Sequence, residues 1–131
     1  MKAWVLSAAL IFSSLARLVA ADASSTTDYE AVDAVFTQYC LDCHASQDPE
    51  AKLILESFET LMQGGEHGPE IVPGKSDQSR LVQMLEGRIE NKEGKKLIMP
   101  PGKRKKLEAA EIATIKTWID DLPSEAPCRG A

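Results

Sequence analysis

The stretch TQYCLDCHAS, residues 37–46, holds two cysteines three positions apart with a histidine directly behind the second. Thiols at this spacing serve three chemistries: a redox disulfide, half of a zinc site, and covalent attachment of haem. The surrounding residues weigh them. Val32, Val35, Phe36, Tyr39, Cys40 and Cys43 fall on one face at helical spacing. Thr27 and Glu30 form a Thr-x-x-Glu capping box ahead of them. The pattern predicts a helix from about residue 28 to about residue 40 that carries the motif at its C-terminal end. A thiol–disulfide oxidoreductase places its cysteine pair at a helix N-terminus, where the dipole lowers the thiol pKa. A structural zinc site needs four ligands. Cys40, Cys43 and His44 supply three, but His44 abuts Cys43, and the fourth would come from His67 or Cys128. A c-type haem asks only for what stands here: Cys40 and Cys43 for the two vinyl groups and His44 as the proximal iron ligand.

The chain has 131 residues, enough for one domain. Its start, MKAWVLSAALIFSSLARLVAADA, combines a lysine, an apolar run and small residues at Ala20, Ala21 and Ala23. This is the pattern of a secretory signal peptide over residues 1–21, cleaved after Ala21 or Ala23. Arg17 interrupts the run too early for a membrane span of about 20 residues. The expected location is the periplasm or an equivalent extracytoplasmic compartment, with no membrane span after cleavage. Export strengthens the haem reading, because this cofactor is attached outside the cytoplasm. Residues 22–27 read as a linker, residues 28–123 as the domain and residues 124–131 as a C-terminal tail.

After cleavage, 13 basic groups face 20 acidic ones. The distribution is uneven: residues 88–106 hold 8 basic and 2 acidic side chains, and residues 22–87 hold 3 and 13. A single short basic band does not describe a nucleic-acid protein. It predicts docking of an acidic redox partner at the lysine-rich residues 92–106. Only Tyr29, Phe36, Tyr39, Phe58 and Trp118 remain as aromatics. That is a thin supply for a core of this size, and a large apolar cofactor would help fill the middle.

Further helices are expected in ESFETLMQ before Gly64–Gly65, from Ser76 or Asp77 to Gly87, and in LEAAEIATIKTWIDDL ending at Pro123. Leu81, Val82 and Leu85 should face inward from the third. Ile112, Ile115, Ile119 and Leu122 form the stripe of the last, with Trp118 on its flank. Residues 64–74 and 88–106 read as loops, with no strand or hairpin signal. A six-coordinate iron needs a second ligand from Met62, Met84, Met99 or His67. Met62 and Met84 lie in helical patterns and read as core fillers, and His67 lies among glycines as a surface residue. Met99 stands in LIMPPG, where two prolines stiffen the chain. It is the candidate distal ligand. No Ser/His/Asp set, phosphate loop or carboxylate pair suggests an independent catalytic site.

YCLDCHAS, then KLILESFETLMQGGEHGPEIVPGKSDQSRLVQML, then MPPGKRKKLEAAEIATIKTWID, resembles the planctomycete-type cytochrome c domain over residues 30–121. The resemblance implies an all-α, cytochrome c-like bundle of about four helices around one covalently attached haem c. It implies thioether attachment at Cys40 and Cys43 and axial ligation by His44 and Met99. It implies that Pro73 and Gly74 belong to a loop wrapping the haem, and that Phe36 and Trp118 are the aromatic pair where the terminal helices cross. The implied function is one-electron transfer by a monohaem c-type cytochrome, an electron carrier and not an enzyme. The alternatives are a haem-based sensor or peroxidase-like, small-ligand-binding module in which Met99 leaves the iron, and a structural haem module recruiting a larger enzyme. In many relatives the domain opens a much larger protein; the expectation here is a stand-alone cytochrome or a fragment of such a protein. Cys128 matches no family motif.

Overall fold

A computed structural model describes residues 26–124, with side chains from Tyr29 onward. The expected signal peptide, most of the linker, and the tail beyond Ser124 with Cys128 lie outside the described residues, and of the cap expected at Thr27 only the backbone is described, which is already helical. Five α-helices appear among them: α1 (Thr26–Tyr39), α2 (Leu41–His44), α3 (Phe58–Gln63), α4 (Arg80–Leu85) and α5 (Ala109–Asp121).

The long helices α1 and α5 pack on one another. Val32, Val35, Phe36 and Tyr39 from α1 are buried with Ile115, Trp118 and Ile119 from α5 and Leu122 just beyond it. Each such side chain taken out of water contributes roughly 1.5–3 kcal/mol, which is what fixes the crossing. Trp118 is 2% exposed, at the centre of the stripe where its flank was expected. The aromatic of α1 that meets its ring is Tyr29, with centroids 5.4 Å apart. Phe58 of α3 completes the cluster, 5.7 Å from Tyr29 and 6.1 Å from Trp118. Phe36 was expected in that place. It lies seven positions later on the same face, two turns along, and is buried in the same core at 1% exposure. A second clamp joins the other end of α1 to α5: Tyr39 Oη donates to Glu111 Oε1 at 2.9 Å.

The middle of the chain is short pieces held by caps. Ser57 and Thr60 form a capping box on α3, and Gly64, at φ +76°, ends that helix. A Cβ at Gly64 would sit 2.3 Å from Gly68 O, so no larger residue fits this turn. The helix expected from Ser76 to Gly87 is two pieces, a 3₁₀ turn (Ser76–Gln78) and α4. The break falls at Ser79, which is extended at ψ 124°. Its buried hydroxyl accepts from Val72 N at 2.9 Å and donates to Lys75 O at 3.1 Å. A serine hydroxyl that satisfies local backbone groups competes with the helical ladder. The hydroxyl and amide of Ser76 donate to the Asp120 carboxylate, at 2.9 and 2.8 Å, tying the 3₁₀ turn to α5.

The region 88–106 departs from a plain loop. Ile89–Glu90 and Lys96–Leu97 pair as a two-stranded antiparallel ribbon, β1 and β2. Asn91 closes it by accepting at its side chain from Glu93 N and Lys95 N. A two-residue strand is too short to show a period-2 alternation.

Candidate functional site

The motif sits where helix turns to loop. Cys40 N still donates to Phe36 O at 2.8 Å, continuing α1, and Cys43 N and His44 N both bond to Cys40 O, at 3.1 and 3.0 Å. This winds the motif into the single turn α2, so both thiols and the imidazole reach one cavity. Ala51 (φ 54°) and Lys52 (φ 55°) are left-handed and turn the chain ahead of Leu53. The returning segment then runs beside the motif, with Leu55 N donating to His44 O at 2.9 Å.

His44 Nδ1 lies 3.1 Å from Leu53 O. A carbonyl only accepts, so Nδ1 carries the proton and the ring is held by it. Nε2 of the neutral imidazole then keeps its lone pair, the form in which histidine ligates a metal.

The cavity measures about 500 Å³, within the range of cofactor sites. Its lining is mostly apolar. Tyr39, Cys40, Cys43, His44, Leu53 and Leu55 line it from the end of α1, the motif and the returning segment. Leu81, Met84 and Leu85 of α4, with Leu97, Ile98, Met99, Pro100 and Pro101, supply the rest of the apolar wall. Met99 is half-buried, follows β2, and donates its amide to Met84 O at 3.1 Å. The Met99–Pro100 peptide is cis. Pro100 O accepts from Lys106 Nζ, which also reaches Gly102 O at 3.2 Å.

Burial, and secondarily Cys43, push the Cys40 thiol up to about 11. A raised thiol pKa is the reverse of the lowered one that activates a disulfide-exchange cysteine. Among the described residues, no three His, Cys, Asp or Glu side chains are grouped to hold a metal ion. Cys40 and Cys43 are both free thiols.

Four of the expected site residues, Cys40, Cys43, His44 and Met99, therefore share one cavity. Pro73 and Gly74 do not line it. Gly74 N donates to Ile119 O at 2.8 Å, and a Cβ at Gly74 would meet Leu122 O at 3.6 Å. The turn packs on the end of α5, where Ser76 is tied to Asp120, while the Ser79 hydroxyl closes the turn on itself through Val72 N and Lys75 O. Met62 is core, as its helical pattern implied. Met84 is not core filler: it is half-buried and faces the cavity. His67, half exposed beside Glu66, reaches the rim. Sequence reasoning missed Glu70 and Arg80, which also line the cavity. The signal available was spacing: Arg80 and Met84 stand four apart and share a helix face.

The thiols, an imidazole with a free lone pair and a thioether around an apolar cavity fit a covalently held haem. Comparison with known families agrees. Residues 40–103 match the family model described as Planctomycete cytochrome C. The chain carries a planctomycete-type cytochrome c domain. No curated protein and no solved structure matches the chain. The family implies covalently bound haem c and a haem-based electron-transfer role. The helix-rich cytochrome c domain found here is compatible with the all-α expectation. Among the described residues no helix is long and apolar enough to cross a membrane.

Proposed function

We propose that the protein is a monohaem c-type cytochrome that carries one electron at a time, with thioether bonds to Cys40 and Cys43 and axial ligands His44 and Met99. The observation that supports this reading is the shared cavity, lined both by His44, whose ring is held by the Leu53 carbonyl, and by the Met99 loop. His/Met ligation leaves no open iron position and raises the reduction potential. The apolar walls keep water from the group and favour its less charged state. The fold carries an exported protein's signature only in its sequence, and a periplasmic location belongs to this same proposal. A reduced-minus-oxidised absorption spectrum of the exported protein, paired with a haem stain of a denaturing gel, tests it. A sharp reduced-form spectrum and a stained band are expected, and a colourless protein would overturn the reading.

The basic band divides into two sets. Arg88 pairs with Glu86 and Asp77, Arg104 with Asp42, and Lys105 lies over the Tyr39 ring. Lys106 donates to Pro100 O and Gly102 O. Lys92, Lys95, Lys96 and Lys103 are exposed, as is Ile98 at 42%. These four lysines are the proposed docking face for an acidic redox partner. Reduction of the protein by an acidic partner should slow as ionic strength rises; a salt-independent rate would remove this face from the proposal.

A further inference from the structure

One wall of the cavity is charged, and electron transfer through His44 and Met99 makes no use of it. Glu70, in the loop before α4, is 5% exposed. Arg80 Nε, on the first turn of α4, lies 3.5 Å from Glu70 Oε1. Both side chains line the cavity. A structural tie between loop and helix already exists in the backbone, where Leu81 N donates to Glu70 O at 3.1 Å. The side-chain pair is therefore not needed to dock the loop. Burying a carboxylate in an apolar wall is costly, and a single long contact to Arg80 offsets that cost less than a two-pronged one.

The groups that face Glu70 are few. Arg80 comes from α4. His67 comes from the same loop and is paired at 3.5 Å with Glu66. The same cavity is lined by Glu50 of the 3₁₀ turn Glu50–Lys52, and by Arg104, which is engaged by Asp42. Burial pushes the Glu70 carboxyl above the usual carboxylate range, with Arg80 and then His67 pulling it back.

We propose that Glu70, positioned by Arg80, takes up a proton when the haem held in this cavity is reduced, so that the reduction potential falls as pH rises. The inference rests on the haem reading above. One electron enters from the reducing partner and one proton from solvent, and the Glu70 carboxylate becomes a carboxylic acid. The charge of the cavity is then unchanged, and no other bond forms or breaks. The coupling is Coulombic: added negative charge in a low-dielectric cavity raises the proton affinity of a carboxylate on its wall. By reciprocity, an ionised Glu70 favours the oxidised state.

The test is the midpoint potential of the haem-loaded protein against pH for the wild type, Glu70→Gln and Arg80→Met. The wild type should fall with pH over an interval above the usual carboxylate range. Glu70→Gln should be flat there, with its absorption spectrum unchanged. Arg80→Met should move the interval to higher pH. A second readout needs no variant: redox-difference infrared spectra of the wild type should gain a protonated-carboxyl band on reduction. A flat wild-type profile, an undiminished slope in Glu70→Gln, or no such band would overturn the inference while leaving the haem reading intact. A colourless wild-type protein would overturn both.

Discussion

The two walls of the cavity are built in different ways. The His44 wall is continuous with the main core: α1 runs into α2, and the returning segment at Leu53 holds the imidazole through a backbone carbonyl. The Met99 wall is assembled from short pieces, the α4 helix, the two-stranded ribbon and a proline-rich loop, joined by one backbone bond from Met99 to Met84. The first wall inherits rigidity from burial; the second depends on local hydrogen bonds. The proposed ligation follows this difference, with the histidine beside the thioether motif on the first and the weak thioether on the second.

Met99→Ala breaks the comparison most completely. It removes the proposed ligand from the distal wall and leaves the proximal wall alone, so the reduced protein should bind carbon monoxide where the wild type does not. An unchanged spectrum would move ligation to another side chain. Met84, which faces the same cavity, is then the next residue to replace.

Ser79→Ala sharpens the comparison one step out from the cavity. Val72 N and Lys75 O lose the hydroxyl of the fully buried Ser79; Val72 itself is half-buried, and a hydrogen bond of this kind contributes about 0.5–1.5 kcal/mol. Denaturant unfolding should show a loss in that range. The Met99 wall, which α4 supports, should give before the His44 wall, visible as faster amide exchange at Met99 than at His44. Uniform exchange at both would show that the walls are not separable.

Acid should act on the proximal side with a smaller effect. The Glu111 carboxyl is held below its ordinary value first by the Glu108 amide and also by the Tyr39 hydroxyl. A lowered folded pKa means that its stabilisation is present above the unfolded value and is lost as pH falls through the folded one. The clamp between the end of α1 and the start of α5 should weaken there, and Glu111→Gln should remove that part of the acid dependence. A titration of stability that is identical in the variant would show that the clamp carries none of it.

Much of this was legible residue by residue. Cys40, Cys43 and His44 form a local motif whose spacing is the chemistry, and one helical turn brings them to one side. Met99 stood out by its proline neighbours, and it lines the same cavity. The inward stripes of α1 and α5 followed from period 3.6; what escaped was the central place of Trp118 in its stripe and the choice of Tyr29 over Phe36 beside it, since both satisfy the same period. Pro73 and Gly74 lie outside the cavity lining, and the sequence did not show where they pack, because a turn's sequence fixes its bend and not the surface it lies on. Ser76, Ser79 and Asp120 decide that surface, and their contacts span as many as 44 positions.

The sequence by itself determined which atoms are available for the cofactor, because thiols, imidazole and thioether are properties of residues and spacings. Only the tertiary structure decided which charges stand beside them. Glu70 and Arg80 are ordinary loop and helix residues in the chain. They become a buried pair on the cavity wall because the packing of α4 against the loop removes water from one carboxylate, and desolvation is a property of the assembled surroundings.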